Sequence, residues 1–260
     1  NKLGVQRIFT ATIPYMSIPP VTRGIGEKRP SNGEASPYYF DYYTHYWIWE
    51  DEFNPEIHRH LTREQAIELD KLVDSYNEII REVAEKYGCW VQSHLSETEE
   101  ECRFVLDVFK KFPGFEDVKD YTDIYDRCGL LGPRSIMGHG IHLSSREWKR
   151  LAEIQTAIAH CPTSNAPVRQ QGLGSGLFDF RRAEKEGVRW GLGTDIGAGP
   201  YLSMLDVMRS FVDQNHKIGI REATYTKALY RASQANADIL GVGESVGNFE
   251  EGKEANFLVL

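Results

Sequence analysis

Gly88-Cys89-Trp90-Val91-Gln92-Ser93-His94-Leu95-Ser96-Glu97 is the stretch on which the reading of this chain turns. A glycine ends the helical pattern before it. Cys89–His94 is short and apolar, as a buried strand is, and a histidine and a glutamate stand where that strand gives way to a helix. The same phrasing recurs downstream. A helix is predicted over Glu97–Lys111, a strand over Ser135–His139 and a helix over Ser144–Ala152. A strand over Thr156–Cys161, a helix over about Phe178–Gly187 and a strand over Val188–Thr194 follow. Strands that alternate with helices imply βαβ units and a parallel sheet, so the fold class is α/β.

Working outward, Thr62-x-x-Gln65 is a capping box. It opens an amphipathic helix with Ala66, Leu69, Leu72, Val73, Tyr76, Ile79, Ile80 and Val83 at helical spacing. Upstream lies an aromatic cluster from Tyr38 to Phe53, preceded by a loop-like stretch from Gly24 to Pro37. The cluster is either a packed excursion or subunit interface, or a lid that stacks on a flat heterocycle. Val5–Ile13, closed by Pro14, reads as a strand.

The 260 residues are 41% hydrophobic and 26% charged, enough for a sizeable buried core. A net charge of -8 disfavours a polyphosphate partner, so no nucleic acid is expected. No stretch approaches the roughly 20 apolar residues of a membrane helix, so no membrane partner is expected either. Cys89, Cys102, Cys128 and Cys161 form no C-x-x-C pair, which argues against a disulfide scaffold and for a reducing, cytoplasmic setting.

In parallel α/β folds functional groups collect where strands end. Here those ends carry Gln92–Glu97, then His139-Gly140-Ile141-His142, then His160 through Asn165, then Gly191 through Asp195. Three imidazoles and a carboxylate at successive strand ends can converge on one point, which is what a catalytic metal needs. Each has a plainer reading. Asp195 is equally a helix N-cap and Glu97 a first-turn carboxylate. His142 is read as a solvent-side or packing residue. His160 is either a partner of a ligand or a core histidine, and Asn165 either caps a loop or helps to hold the site.

The segments Gln92–Glu97, His139–Leu143, His160–Asn165 and Gly191–Asp195 resemble the metal-dependent amidohydrolase superfamily, and within it the guanine deaminases. Tyr125–Leu131, Ser175–Asp179, Ser203–Asp206 and Gly247–Ala255 are similar to the same family. The resemblance runs from about residue 90 to 260 and implies a TIM-type (β/α)8 barrel. It implies His94 as metal ligand from the fifth barrel strand and Asp195 as ligand and proton acceptor from the eighth. His139 would hydrogen-bond the attacking water or the tetrahedral oxygen, and Glu97 would protonate a ring nitrogen and the departing ammonia. The implied metal is zinc, one per chain in the complete protein. The implied substrate is a small purine such as guanine, and the implied assembly a homodimer.

The resemblance also assigns residues 1–246 to the barrel portion, with an aromatic-rich insertion at about 21–60, and 247–260 to a strand returning to a small β-sandwich. The family's first-strand His-x-His pair has no counterpart at the start of this chain. His58-Arg59-His60 lies only 36 positions before His94 and reads as a loop, on the surface or leaning over the pocket. Gln6–Ile13 resembles the fourth barrel strand. The barrel is therefore expected to be incomplete at its N-terminus, with unpaired sheet edges. If Thr10 matches the start of the family's Thr-Pro-Arg-Phe, then Ala11, Thr12 and Ile13 replace Pro, Arg and Phe. Thr12 cannot supply a guanidinium fork; Arg23, Arg29 and Arg169 are loop candidates to replace it. This keeps two rivals open: an amidohydrolase of another amino- or chloro-substituted heterocycle, and a non-catalytic barrel serving as an interaction module.

Overall fold

The computed structural model describes residues 82, 84–112, 114–167, 172–196 and 198–256, and the backbone of 8–10. The Thr62 capping box and its helix, the aromatic cluster, Thr12, Ile13, His58, His60, Arg169 and the last four residues lie outside the described residues.

Five strands form one parallel sheet in sequence order. They are β1 (Ile8–Thr10), β2 (Trp90–Leu95), β3 (Ser135–His139), β4 (Ala157–His160) and β5 (Trp190–Leu192). Order that never reverses, with helices between strands, is the winding of a (β/α)8 barrel and not of a doubly wound sheet. The expected strands are all present: Ser135–His139 matches end to end, Trp90–Leu95 is shifted by one residue, β4 and β5 are shorter by one or two residues at each end, and of Val5–Ile13 the described part is Ile8–Thr10.

Between the strands run α1 (Glu99–Phe109), α2 (Tyr121–Arg127), α3 (Ser145–Glu153), α4 (Pro162–Asn165) and α5 (Phe180–Glu186). After β5 come α6 (Met204–Lys217), α7 (Tyr225–Ala232) and α8 (Gln234–Ile239). Two of these starts are reciprocal capping boxes: Thr98 with Glu101, and Ser144 with Glu147. Proline opens α4, where its missing N–H costs nothing. Gly187, at φ 81°, closes α5 in the left-handed region.

The pleat sorts side chains between two layers. Val91 and Leu95 of β2, Met137 of β3, Ile158 of β4 and Trp190 and Leu192 of β5 all pack into the main core under the helices. Residues one position away lie on the other face, where Trp90 and Ala157, with half-buried Ile136, pack against Ile239 of α8. The register pairs His94 with Gly138, and Gly138 with Ala159. Leu95 pairs with His139, and His160 with Leu192.

The outer edge of β5 has no strand partner among the described residues, as expected, but two of its carbonyls are satisfied by side chains. Arg231 donates to the carbonyl of Trp190 at 3.1 Å, and Asn236 of α8 to that of Leu192 at 2.9 Å. Gly191 permits the approach, since a Cβ there would lie 1.8 Å from Asn236 Oδ1. Among the described residues no helix is long and apolar enough to cross a membrane.

Candidate active site

The C-terminal end of the sheet is laced together by backbone. Gly140 N donates to the carbonyl of Leu95, and Ile141 N and His142 N both donate to that of Ser96. Tyr125 of α2 braces the same end from below: its hydroxyl donates to the His94 carbonyl at 2.9 Å and lies 2.7 Å from Ser93 Oγ. His94 is thus held at the last turn of β2 by its own main chain.

His94, His139 and Asp195 meet here, with one ligand atom from each lying within 4.8 Å of the others. The His94 and His139 rings stack at 5.3 Å, 10° from parallel. Burial holds the His94 imidazole below its ordinary pKa, and neighbouring His139 lowers it further while Asp195 and Glu97 oppose the shift. Neutral imidazole is the form that binds a metal. His94 Nδ1 and Asp195 Oδ2 are buried with no hydrogen-bond partner among the described residues. Two such atoms beside each other are costly unless something satisfies them, and an N and O donor set suits a divalent ion such as zinc. The residues fit the metal that the site's chemistry implies.

Three of the four described non-glycine residues with left-handed backbone sit at this end: Ser96 at φ 50°, His139 at 72° and Asp195 at 52°. That conformation costs a side-chain-bearing residue energy and persists where the surroundings impose it. Its effect at His139 is specific. By the pleat His139 pairs with Leu95 and should face the helices. The left-handed turn brings its ring back to stack on His94.

Glu97 precedes the N-cap Thr98, so it is not a first-turn carboxylate; that place belongs to Glu99, Glu100 and Glu101. Its Oε1 accepts from Asn165 Nδ2 and from Ser175 Oγ, both at 3.0 Å, and lies 3.7 Å from His139 Nδ1. Asn165 also contacts His139 Nδ1 through Nδ2 at 3.1 Å. Asn165 therefore helps to hold the site. Asp195 caps no helix, the next N-cap being Ser203. His142 is half-buried with Nε2 2.9 Å from the Ser175 carbonyl.

The expected convergence of three imidazoles is corrected to two. His160 ends β4 on the helix-facing side and packs on Phe178 at 5.1 Å and on Phe211 at 6.0 Å. It is a core histidine. Burial, aided by His139, pushes its pKa down to about 3. Sequence reading passed over Ser175, Tyr125 and Glu101, whose carboxylate accepts from Glu97 N at 2.7 Å. The phrases containing Ser175 and Tyr125 were visible as family-like, and only their distance partners were not.

One-directional β/α winding with polar groups gathered at the C-terminal strand ends defines a barrel protein of TIM type. The chain matches the amidohydrolase family over residues 54–260 and belongs to it. Guanine deaminase of Escherichia coli strain K12 is 38% identical over 171 residues, which are 66% of this chain and 36% of that protein. A solved structure of E. coli guanine deaminase superposes with a TM-score of 0.61 at 36% identity, over 69% of this chain and 39% of its own. The C. acetobutylicum guanine deaminase, solved with guanine bound in its active site, gives 0.56 at 32% identity, over 68% and 41%. The chain thus spans well under half the length of these relatives.

Proposed function

We propose that this site serves hydrolytic deamination of an aminopurine, guanine first, giving the oxo-purine (xanthine for guanine) and ammonia. The observation that carries the reading is Glu97: a carboxylate with one oxygen held by Asn165 and Ser175, 3.7 Å from the His139 ring that groups with His94 and Asp195. The similarity to guanine deaminases supports the choice of substrate.

His94 and Asp195 would hold zinc, which when bound supplies a water whose pKa is lowered from 15.7 to about 7. Asp195 takes a proton from the attacking water, whose oxygen bonds the amino-bearing carbon. Glu97 gives a proton to the adjacent ring nitrogen, so the carbon becomes tetrahedral without a full negative charge on the ring. His139 hydrogen-bonds the new oxygen. The emptied Glu97 carboxylate carries the hydroxyl proton to the amino nitrogen, the C–N electron pair leaves with it as ammonia, the carbonyl closes, and the proton held on Asp195 restores Glu97. A homodimer and a cytoplasmic location belong to the same proposal. The dimer rests on the family resemblance, and the location on four sparse cysteines with no C-x-x-C pair.

Thr12 and Ile13, in place of the Arg and Phe that the resemblance leads one to expect, favour a second reading in which another amino- or chloro-substituted heterocycle is the substrate. A panel of such compounds beside guanine decides between them. The primary test is elemental analysis and ammonia release on one sample. About one zinc per chain with guanine turnover supports the proposal, and metal-free, inactive protein overturns it. Asp195→Ala should lower metal content and rate together. Glu97→Gln should keep metal and lose at least about a hundredfold in kcat; unchanged turnover would remove Glu97 from the mechanism.

A further inference from the structure

Both hydrogen bonds to the Glu97 side chain end on the same oxygen. Asn165 Nδ2 and Ser175 Oγ each lie 3.0 Å from Oε1, and among the described residues no hydrogen bond reaches Oε2. The two donors come from different elements that are sewn together. Asn165 is the last residue of α4, its N–H bound to the Cys161 carbonyl and its carbonyl accepting from Gly176 N at 3.3 Å. Leu173 N binds the Ser164 carbonyl and Gly174 N that of Ala166, so the loop carrying Ser175 runs along α4. His142 holds the Ser175 carbonyl from the β3 side. From its own side, Glu101 grips the Glu97 main-chain N–H. The carboxylate is fixed at both ends.

An amide N–H can only donate, and a hydroxyl facing an ionised carboxylate oxygen donates to it as well. A proton arriving on Oε1 would point at two donors already committed there, whereas Oε2 has open lone pairs. Charge-assisted bonds of this kind are the strong class and hold geometry as well as charge. His139 Nδ1 lies 3.1 Å from Asn165 Nδ2 and 3.4 Å from its Oδ1, so one amide sets both the carboxylate and the imidazole.

We propose that Asn165 and Ser175 are positioning residues that saturate Glu97 Oε1 and thereby make Oε2 the atom that carries the proton. The inference rests on the deaminase reading and deepens it. Oε2 releases its proton to the ring nitrogen and is reloaded by the proton that Asp195 took from the attacking water, leaving Glu97 unchanged over the cycle. His142 supports the arrangement at one remove, by holding the loop that presents Ser175.

A double-mutant cycle tests this on the purified chain, with guanine turnover and metal content measured on every variant. Ser175→Ala removes one of the two donors and should lower kcat about tenfold, with KM and metal content within about twofold. Ser175→Thr keeps a hydroxyl and should restore most of the loss. In a Glu97→Gln background there is no proton carrier left to position, so Ser175→Ala should then cost less than about twofold. Asn165→Ser, the second route, should follow the same pattern. Equal losses in both backgrounds, or a change in KM and metal content in place of kcat, would overturn the positioning role while leaving the deaminase reading intact. Full activity of Glu97→Gln alone would overturn both.

Discussion

His139 and His160 end neighbouring strands at equivalent register positions, since Gly138 pairs with Ala159. Both are buried, and the pleat directs both toward the helices. One becomes part of the site and the other part of the core. The difference is a single backbone torsion: His139 lies at φ 72°, while His160 keeps strand geometry and its ring stays against Phe178 and Phe211. A histidine at a strand end is therefore ambiguous until the last φ is known, and the residue that follows helps to set it. His139 is followed by Gly140, itself at φ 60°, whereas His160 is followed by Cys161 at φ -115° and then a proline.

The comparison breaks most visibly at His139. His139→Asn should lower guanine turnover by about a thousandfold, the upper range for loss of one group that stabilises a developing oxyanion. Retained activity would mean that the turned ring has no chemical task. At His160 the expected result is a stability effect with a pH signature. Its pKa falls from an ordinary 6.5 to about 3 in the fold, so its contribution is complete above pH 6.5 and is lost as pH drops toward 3. His160→Phe removes that loss and should gain about 2 kcal/mol over the parent at pH 5 relative to pH 7. Denaturant midpoints at the two pH values measure it, with activity at pH 7 within about threefold; parallel pH dependence would show that His160 titrates freely. The smallest effect belongs to Gly140→Ala. A Cβ there meets two carbons of Ile158 at 3.2 Å on a left-handed backbone, and should cost about 1 kcal/mol or somewhat more in melting experiments. If the turn aims His139, kcat should fall with it; unchanged kcat would place the aim elsewhere.

The strands and their order were legible because each is an apolar run bounded by helical periodicity, as at Ser135–His139. The short α2 and α4, and α6 to α8, were not read; no strand follows to frame the last three. The site was legible at His94, Glu97, His139 and Asp195, which carry chemistry in their residue types. The fate of His160 was not, because a fourfold pattern of strand ends contains no information on which face each end presents. Ser175 was invisible for another reason. Its partner Glu97 is 78 positions away, and a lone serine in a glycine-rich loop has no local signature. Glu101 shows the same limit in reverse: its capping role is local and readable, yet its burial raises its pKa to about 7, which only the fold reveals.

Sheet order has a consequence for the sequence of folding events. Ile136 and Ala157 pair across a short crossover, while Ile8 and Trp90 pair across one about four times longer. Loop-closure entropy rises with the logarithm of that length, so bringing β1 to β2 costs about 1 kcal/mol more than joining β3 to β4. The β2–β5 block, which holds every residue placed in the site, is thus the part of the sheet that can assemble from nearby contacts alone. Its chemistry-bearing groups would be in place before β1 docks.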